Sequence, residues 1–138
     1  MIVLDTNVLS EMLKPDPDKH VVEWLDRQEA ETLYISAVTL AELKYGAYRL
    51  LGGKRRERLL SWIQGVQAML EGRVLPFDAD AAEALATAGV KAEKHGMRVE
   101  APDAYIAASA LAKGFSVATR NTKHFEPMGV GVINPWVE

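Results

Sequence analysis

Met1-Ile2-Val3-Leu4-Asp5-Thr6-Asn7-Val8-Leu9-Ser10-Glu11-Met12 is the stretch from which the fold is read. Its first four residues are apolar, two of them β-branched, as in a short strand buried on both faces; apolar periodicity resumes only after Asp5-Thr6-Asn7. A carboxylate therefore sits where a central strand ends. Two readings of Asp5 compete. It caps the following helix, or it points out of the carboxyl edge of a parallel sheet, where open α/β folds place ligands, and the cap then falls to Thr6 or Asn7.

Working outward, strands and helices alternate. Val8 to Leu13 reads as a short helix ended by Pro15 and Pro17, and His20 to Arg27 as a second, amphipathic one. Thr32 to Ile35 is strand-like, and Ser36 is placed to cap a helix carrying Val38, Leu40, Leu43, Ala47 and Leu50. Gly52-Gly53 stops that helix, and another runs from about Arg55 to Leu70, so the two form an αα-hairpin. Val74 to Phe77 is β-like. Asp80-Ala81-Ala82-Glu83 has capping-box spacing and opens an alanine-rich helix ending at Gly96. Pro102 stands at a first helical position, Gly114 at a helix stop, and Phe115 to Thr119 and Gly131 to Ile133 complete the strands. Alternation of this kind predicts an α/β fold with a mostly parallel sheet and helices on its faces.

A chain of 138 residues is expected to form a single domain over 1–138, large enough to bury roughly two thirds of its unfolded surface. With no cysteine, disulfides, thiolate metal sites and thiol catalysis are excluded. The start carries no basic n-region and no apolar run reaches membrane-spanning length, so a soluble, cytoplasmic protein with no membrane partner is expected. A formal net charge of −3 argues against coating nucleic acid through a broad basic field, though not against a local grip.

Chain direction places the acids. Each strand runs one way and each crossover helix runs back, so helix N-termini collect at the carboxyl edge of the sheet. Asp5 ends the first strand, Glu42 lies early in the helix after the second, Asp103 opens a helix, and Asn121 follows the strand that this helix feeds. All four are predicted on one edge, with lateral convergence left open. Each also has a local reading: Glu42 as partner of Thr39 in a capping box, Asp103 as a helix-dipole complement, Asn121 as a turn residue. If the acids converge, a hard divalent cation relieves their repulsion, and oxygen donors without Cys or patterned His favour Mg²⁺ or Mn²⁺.

These blocks resemble the PIN-domain nucleases, and within them VapC-type toxins of toxin-antitoxin pairs, with particular likeness to the FitB-like branch. The resemblance is carried by residues 2–11, by Ser36-Ala37-Val38-Thr39-Leu40-Ala41-Glu42-Leu43, by Ala101-Pro102-Asp103-Ala104-Tyr105-Ile106-Ala107-Ala108, by Val117-Ala118-Thr119-Arg120-Asn121-Thr122-Lys123-His124-Phe125 and by Asn134-Pro135-Trp136. It implies a three-layer α/β/α sandwich with a five-stranded parallel sheet and an acidic pocket holding Mg²⁺ or Mn²⁺. Asp5, Glu42 and Asp103 match the family's three acids, and Asn121 stands where many members carry a fourth. Thr6 and Thr119 match small hydroxyl positions beside the pocket. An amide at 121 can still offer an oxygen but brings no charge, which reads as lower affinity for a second ion.

The implied reaction is hydrolysis of an RNA phosphodiester, leaving a 5′-phosphate, by an ion held by Asp5 and Asp103, with Glu42 direct or through water. The implied partners are RNA, a cognate antitoxin delivering a basic side chain to the acids, and a second copy of the chain. The hairpin from Val38 to Leu70 carries more apolar positions than one sheet face requires, which suits a homodimer. Arg120 and Lys123 are candidate RNA contacts, ahead of the Lys54 to Arg58 run, because charge runs are usually solvated. His20, His95 and His124 show no metal-ligand spacing and receive no role; Trp24, Trp62 and Trp136 read as core or interface anchors. Two rivals remain: a catalytically weak binding module, with Asn121 in place of an acid, and a phospho-acceptor signalling domain using Asp78. A haloacid-dehalogenase-like phosphatase would need an acid where Asn7 stands.

Overall fold

In the computed structural model, which describes residues 1–96, 98 and 101–138, five strands form one parallel sheet. The elements run β1 (Ile2–Leu4), α1 (Thr6–Glu11), α2 (Lys19–Asp26), β2 (Leu33–Ser36), α3 (Ala37–Tyr48) and α4 (Lys54–Met69). They continue with β3 (Val74–Leu75), α5 (Ala79–Glu93), α6 (Pro102–Lys113), β4 (Ser116–Ala118), α7 (Thr122–Phe125) and β5 (Val132–Ile133). Strand order is β3-β2-β1-β4-β5, so the first strand is the central one. The expected mostly parallel, five-stranded sandwich is observed. No helix among the described residues is long and apolar enough to cross a membrane.

The period-2 alternation of each strand splits the core into two layers. Leu4, Ile35 and Ala118 face one cluster with Val8, Val21, Trp24, Leu43, Ile63 and Val66 from α1 to α4. Val3, Leu75 and Val117 face the other, with Ala92, Ile106, Ala107 and Phe125 from α5, α6 and α7. α6 buries Ala104, Ala107, Ala108 and Ala110, and side chains this small allow close packing beside α5 and the sheet.

Local chemistry sets the helix ends. Ser36 caps α3, its hydroxyl accepting from Thr39 N–H at 3.1 Å, as expected. Gly114 closes α6 at φ 72°, the left-handed conformation that glycine adopts without Cβ strain. Two expectations need correction. α5 is capped by Asp78, whose carboxylate accepts from Ala81 N–H at 3.0 Å, and not by the Asp80 box, because Asp78 holds the extended backbone a cap requires. α1 starts at Thr6 and its cap is Asp5 itself.

Candidate functional site

The sheet order sets β1 between β2 and β4, so the segments leaving the carboxyl ends of β1 and β4 run side by side. Asp5 is 3 % exposed, and both carboxylate oxygens are engaged. Oδ1 accepts from Thr6 N–H at 2.7 Å, which is the cap, and Oδ2 accepts from the Thr119 hydroxyl at 2.7 Å, across the two strands. One carboxylate thus caps α1 and ties the carboxyl ends of β1 and β4 together.

Thr119 is saturated. Its hydroxyl gives its proton to Asp5 and accepts from Asn7 Nδ2 at 3.3 Å and from Asn121 N–H at 3.0 Å. Thr6 bridges to α3: its hydroxyl donates to Glu42 Oε1 at 2.7 Å and lies 3.3 Å from the hydroxyl of buried Thr39. Glu42 thus reaches the edge through Thr6, and Thr39 is a buried support rather than a capping-box partner of Glu42. Asp103, the second residue of α6, accepts on Oδ2 from His124 Nδ1 of α7 at 2.8 Å. Asn121 is exposed and precedes α7, with no cap bond from its side chain.

Burial pushes the Asp5 carboxyl up to about 6, and the charges of Asp103 and Glu42 push in the same direction. The Thr119 and Thr6 hydrogen bonds work against this rise. The three acids therefore share one electrostatic field. They do not form a closed ligand shell: among the described residues, no three His, Cys, Asp or Glu side chains stand close enough together to hold one ion. The convergence that the sequence left open is thus proximity at longer range, as expected of like charges with nothing between them. The donor set still fits a hard cation, because it is made of oxygens alone and Mg²⁺ commonly keeps several water ligands.

Other candidates are placed as follows. The Arg120 guanidinium packs 5.1 Å from the Trp136 ring, and its backbone N–H approaches Asn7 Oδ1 at 3.4 Å, so its side chain braces the C-terminal segment. Lys123 lines a cleft of about 330 Å³ with Asp103, His124, His95 and Arg98. Asp78 is occupied as a cap beyond β3, an edge strand, which removes the structural basis for the phospho-acceptor rival. Sequence reasoning missed His124, Asn7 and Thr39. All three lie inside blocks already singled out, but the bond of His124 to Asp103 shows itself only once α6 and α7 are known to be neighbours.

A family model described as PIN domain matches residues 2–129. The chain is 50 % identical to VapC ribonuclease Y4jK of Sinorhizobium fredii over 137 residues, 99 % of this chain and 98 % of that protein. It is 44 % identical to Toxin FitB of Neisseria gonorrhoeae over 137 residues, 99 % of each chain. The structure is similar to the crystal structure of FitAcB from Neisseria gonorrhoeae, with a TM-score of 0.92 over 99 % of both chains and 44 % identity.

Proposed function

The chain belongs to the PIN-domain family, and on that premise we propose that it is a divalent-metal-dependent endoribonuclease, the toxin of a toxin-antitoxin pair, acting as a single nuclease domain over 1–138. The observation that carries the site assignment is the buried Asp5 carboxylate, pushed up to about 6 in part by Asp103 and Glu42. A buried carboxylate whose ionisation two neighbouring acids oppose marks a site for a cation, and Mg²⁺ or Mn²⁺ suits the oxygen donors. Asp5 and Asp103 would hold it, with Glu42 direct or through water. When bound, such an ion lowers the pKa of a water and stabilises charge on the phosphoryl oxygens.

The chain's own residues do the rest. Thr119 and the α1 backbone fix the orientation of Asp5, Thr6 fixes Glu42, and His124 fixes Asp103, so no acid has to search for its rotamer. Asn121 contributes an amide at the rim of the edge without adding charge. Before the ion binds, the acidic edge repels a polyanion, so metal loading precedes RNA binding.

The proposed partners are RNA, a cognate antitoxin and a second copy of this chain, and the proposed location is the cytoplasm. The homodimer is supported by apolar side chains left in solvent on the hairpin, with Tyr45, Tyr48, Leu51 and Met69 exposed. The test is cleavage of single-stranded and structured RNA with Mn²⁺, lost on chelation and lost in Asp5→Asn. Failure of metal-loaded protein to cleave any RNA would instead support the catalytically weak binding module.

A further inference from the structure

The segment that leaves β4 ties two of the acids to each other. Thr119 donates its hydroxyl proton to Asp5 Oδ2 at 2.7 Å and accepts from Asn121 N–H at 3.0 Å. The Asn121 carbonyl in turn accepts from His124 N–H at 2.9 Å, and His124 Nδ1 meets Asp103 Oδ2 at 2.8 Å. A carboxylate oxygen only accepts, so Nδ1 is the protonated ring nitrogen and His124 is the donor. Residues 119–124 thus run from one carboxylate to the other through hydrogen bonds. Phe125 is fully buried in one cluster with Ile106 and Ala107, which fixes α7 against α6 and with it the point from which His124 reaches Asp103. The His124 side chain itself is 64 % exposed, so the core does not depend on it.

Every acid of the edge has at least one oxygen held by a protein donor. Asp5 accepts on both, Glu42 accepts on Oε1 from the Thr6 hydroxyl, and Asp103 accepts on Oδ2 from His124. A carboxylate with one oxygen held in this way offers a cation chiefly the other. Mg²⁺ is served by single oxygens and water in an octahedron, whereas Ca²⁺ takes roughly six to eight oxygens and often both from one carboxylate. The hydrogen bonds of the edge therefore bear on which ion it accepts.

We propose that His124 is a positioning residue for Asp103: by holding Oδ2 it presents Oδ1 alone to the ion, and the edge thereby selects Mg²⁺ or Mn²⁺ over Ca²⁺. This rests on the metal-dependent reading and adds to it the residue that sets ion choice. His124 acts through Asp103 and touches neither ion nor RNA in this role. Without it the Asp103 carboxylate turns freely and both its oxygens become open to a larger ion. Partners standing one bond behind a metal ligand typically change metal affinity by about 10- to 100-fold.

The experiment is calorimetric titration of the full-length protein with Mn²⁺ and, separately, with Ca²⁺, at one pH and without RNA. The parent is expected to bind Mn²⁺ more tightly than Ca²⁺. His124→Ala is expected to weaken Mn²⁺ about tenfold and to leave Ca²⁺ as it was or tighter, so the ratio of the two Kd values falls at least about tenfold. His124→Asn sets an amide nitrogen near the place of Nδ1 and is expected to restore the parent ratio. His124→Gln sets its nitrogen near the place of Nε2 and is expected to behave as Ala. Because the side chain is exposed, Tm should stay within about 2 °C of the parent in each variant. A Kd ratio unchanged in His124→Ala would overturn the proposal, since general loosening of α7 weakens both ions alike. So would a parent without preference between the ions, or rescue by Gln as full as by Asn. A parent that binds no Mn²⁺ would instead overturn the metal reading on which the proposal rests.

Discussion

Replacing Asp5 with Asn should stabilise the metal-free protein near neutral pH while abolishing its activity. The Asp5 carboxyl is 3 % exposed and rises from 3.8 to about 6 on folding. Between those values the native state binds more protons than the unfolded chain, so stability falls as pH rises through that window and levels off above it. At about 1.36 kcal/mol per unit, the ionised carboxylate costs roughly 3 kcal/mol at pH 7.5. Asn removes that cost but cannot accept from both Thr6 N–H and the Thr119 hydroxyl without turning its amino group toward one of them, which returns about 1 to 2 kcal/mol.

The net gain is then on the order of 1 to 2 kcal/mol, or about 3 to 6 °C in Tm for a domain of this length. The assay is thermal unfolding in EDTA at pH 4 and pH 7.5. Asp5→Asn is expected to melt above the parent at pH 7.5 and level with or below it at pH 4, where the parent carboxyl is largely protonated. Saturating Mn²⁺ should reverse the order at pH 7.5, since a ligand at 100 times its Kd stabilises the parent alone by about 2.7 kcal/mol. A variant that melts below the parent by the same margin at both pH values would refute the account of Asp5 as a carboxylate held against its own ionisation.

Asp103→Asn should weaken Mn²⁺ binding by about 100-fold, roughly 2.7 kcal/mol, measured by calorimetry; unchanged affinity would remove Asp103 from the site. Thr119→Val takes a proton donor from buried Asp5 and an acceptor from Asn7 and Asn121, so urea unfolding should reveal a loss of about 1 to 3 kcal/mol, larger at pH 7.5 than at pH 4. Leu51 is 94 % exposed on the hairpin, and Leu51→Glu should dissociate the proposed homodimer in sedimentation without altering the fold. A parent that sediments as a monomer across micromolar concentrations would overturn that dimer.

Much of this architecture is legible because it depends on neighbours in sequence. Ser36, Pro102 and Gly114 mark helix ends through local backbone chemistry, and the alternation of Val3 and Leu4 assigns each to its own face of the sheet. Chain direction alone puts Asp5, Glu42, Asp103 and Asn121 on one edge. Their separation is set by strand order, which no spacing encodes: Asn7 and Thr119 bond across 112 residues because β1 and β4 are adjacent. α7 escaped for a different reason, since four residues are too few to display a period. A cap does not exclude a role at the edge for Asp5, because a carboxylate has two oxygens and the cap takes only Oδ1.

The amide at Asn121 follows the same electrostatic logic. Asp103 and Glu42 already oppose ionisation of Asp5, and a fourth carboxylate on that edge would add to the repulsion. On the proposed reading, three acids around one divalent ion leave a single negative charge, whereas four would leave two and favour a second ion. With Asn121 the balance suits one tightly held ion, and a residual charge this small lets a phosphodiester approach the edge. An acidic chain can in this way handle a polyanion, since what the substrate meets locally is the sum of ion and acids rather than the net charge of −3.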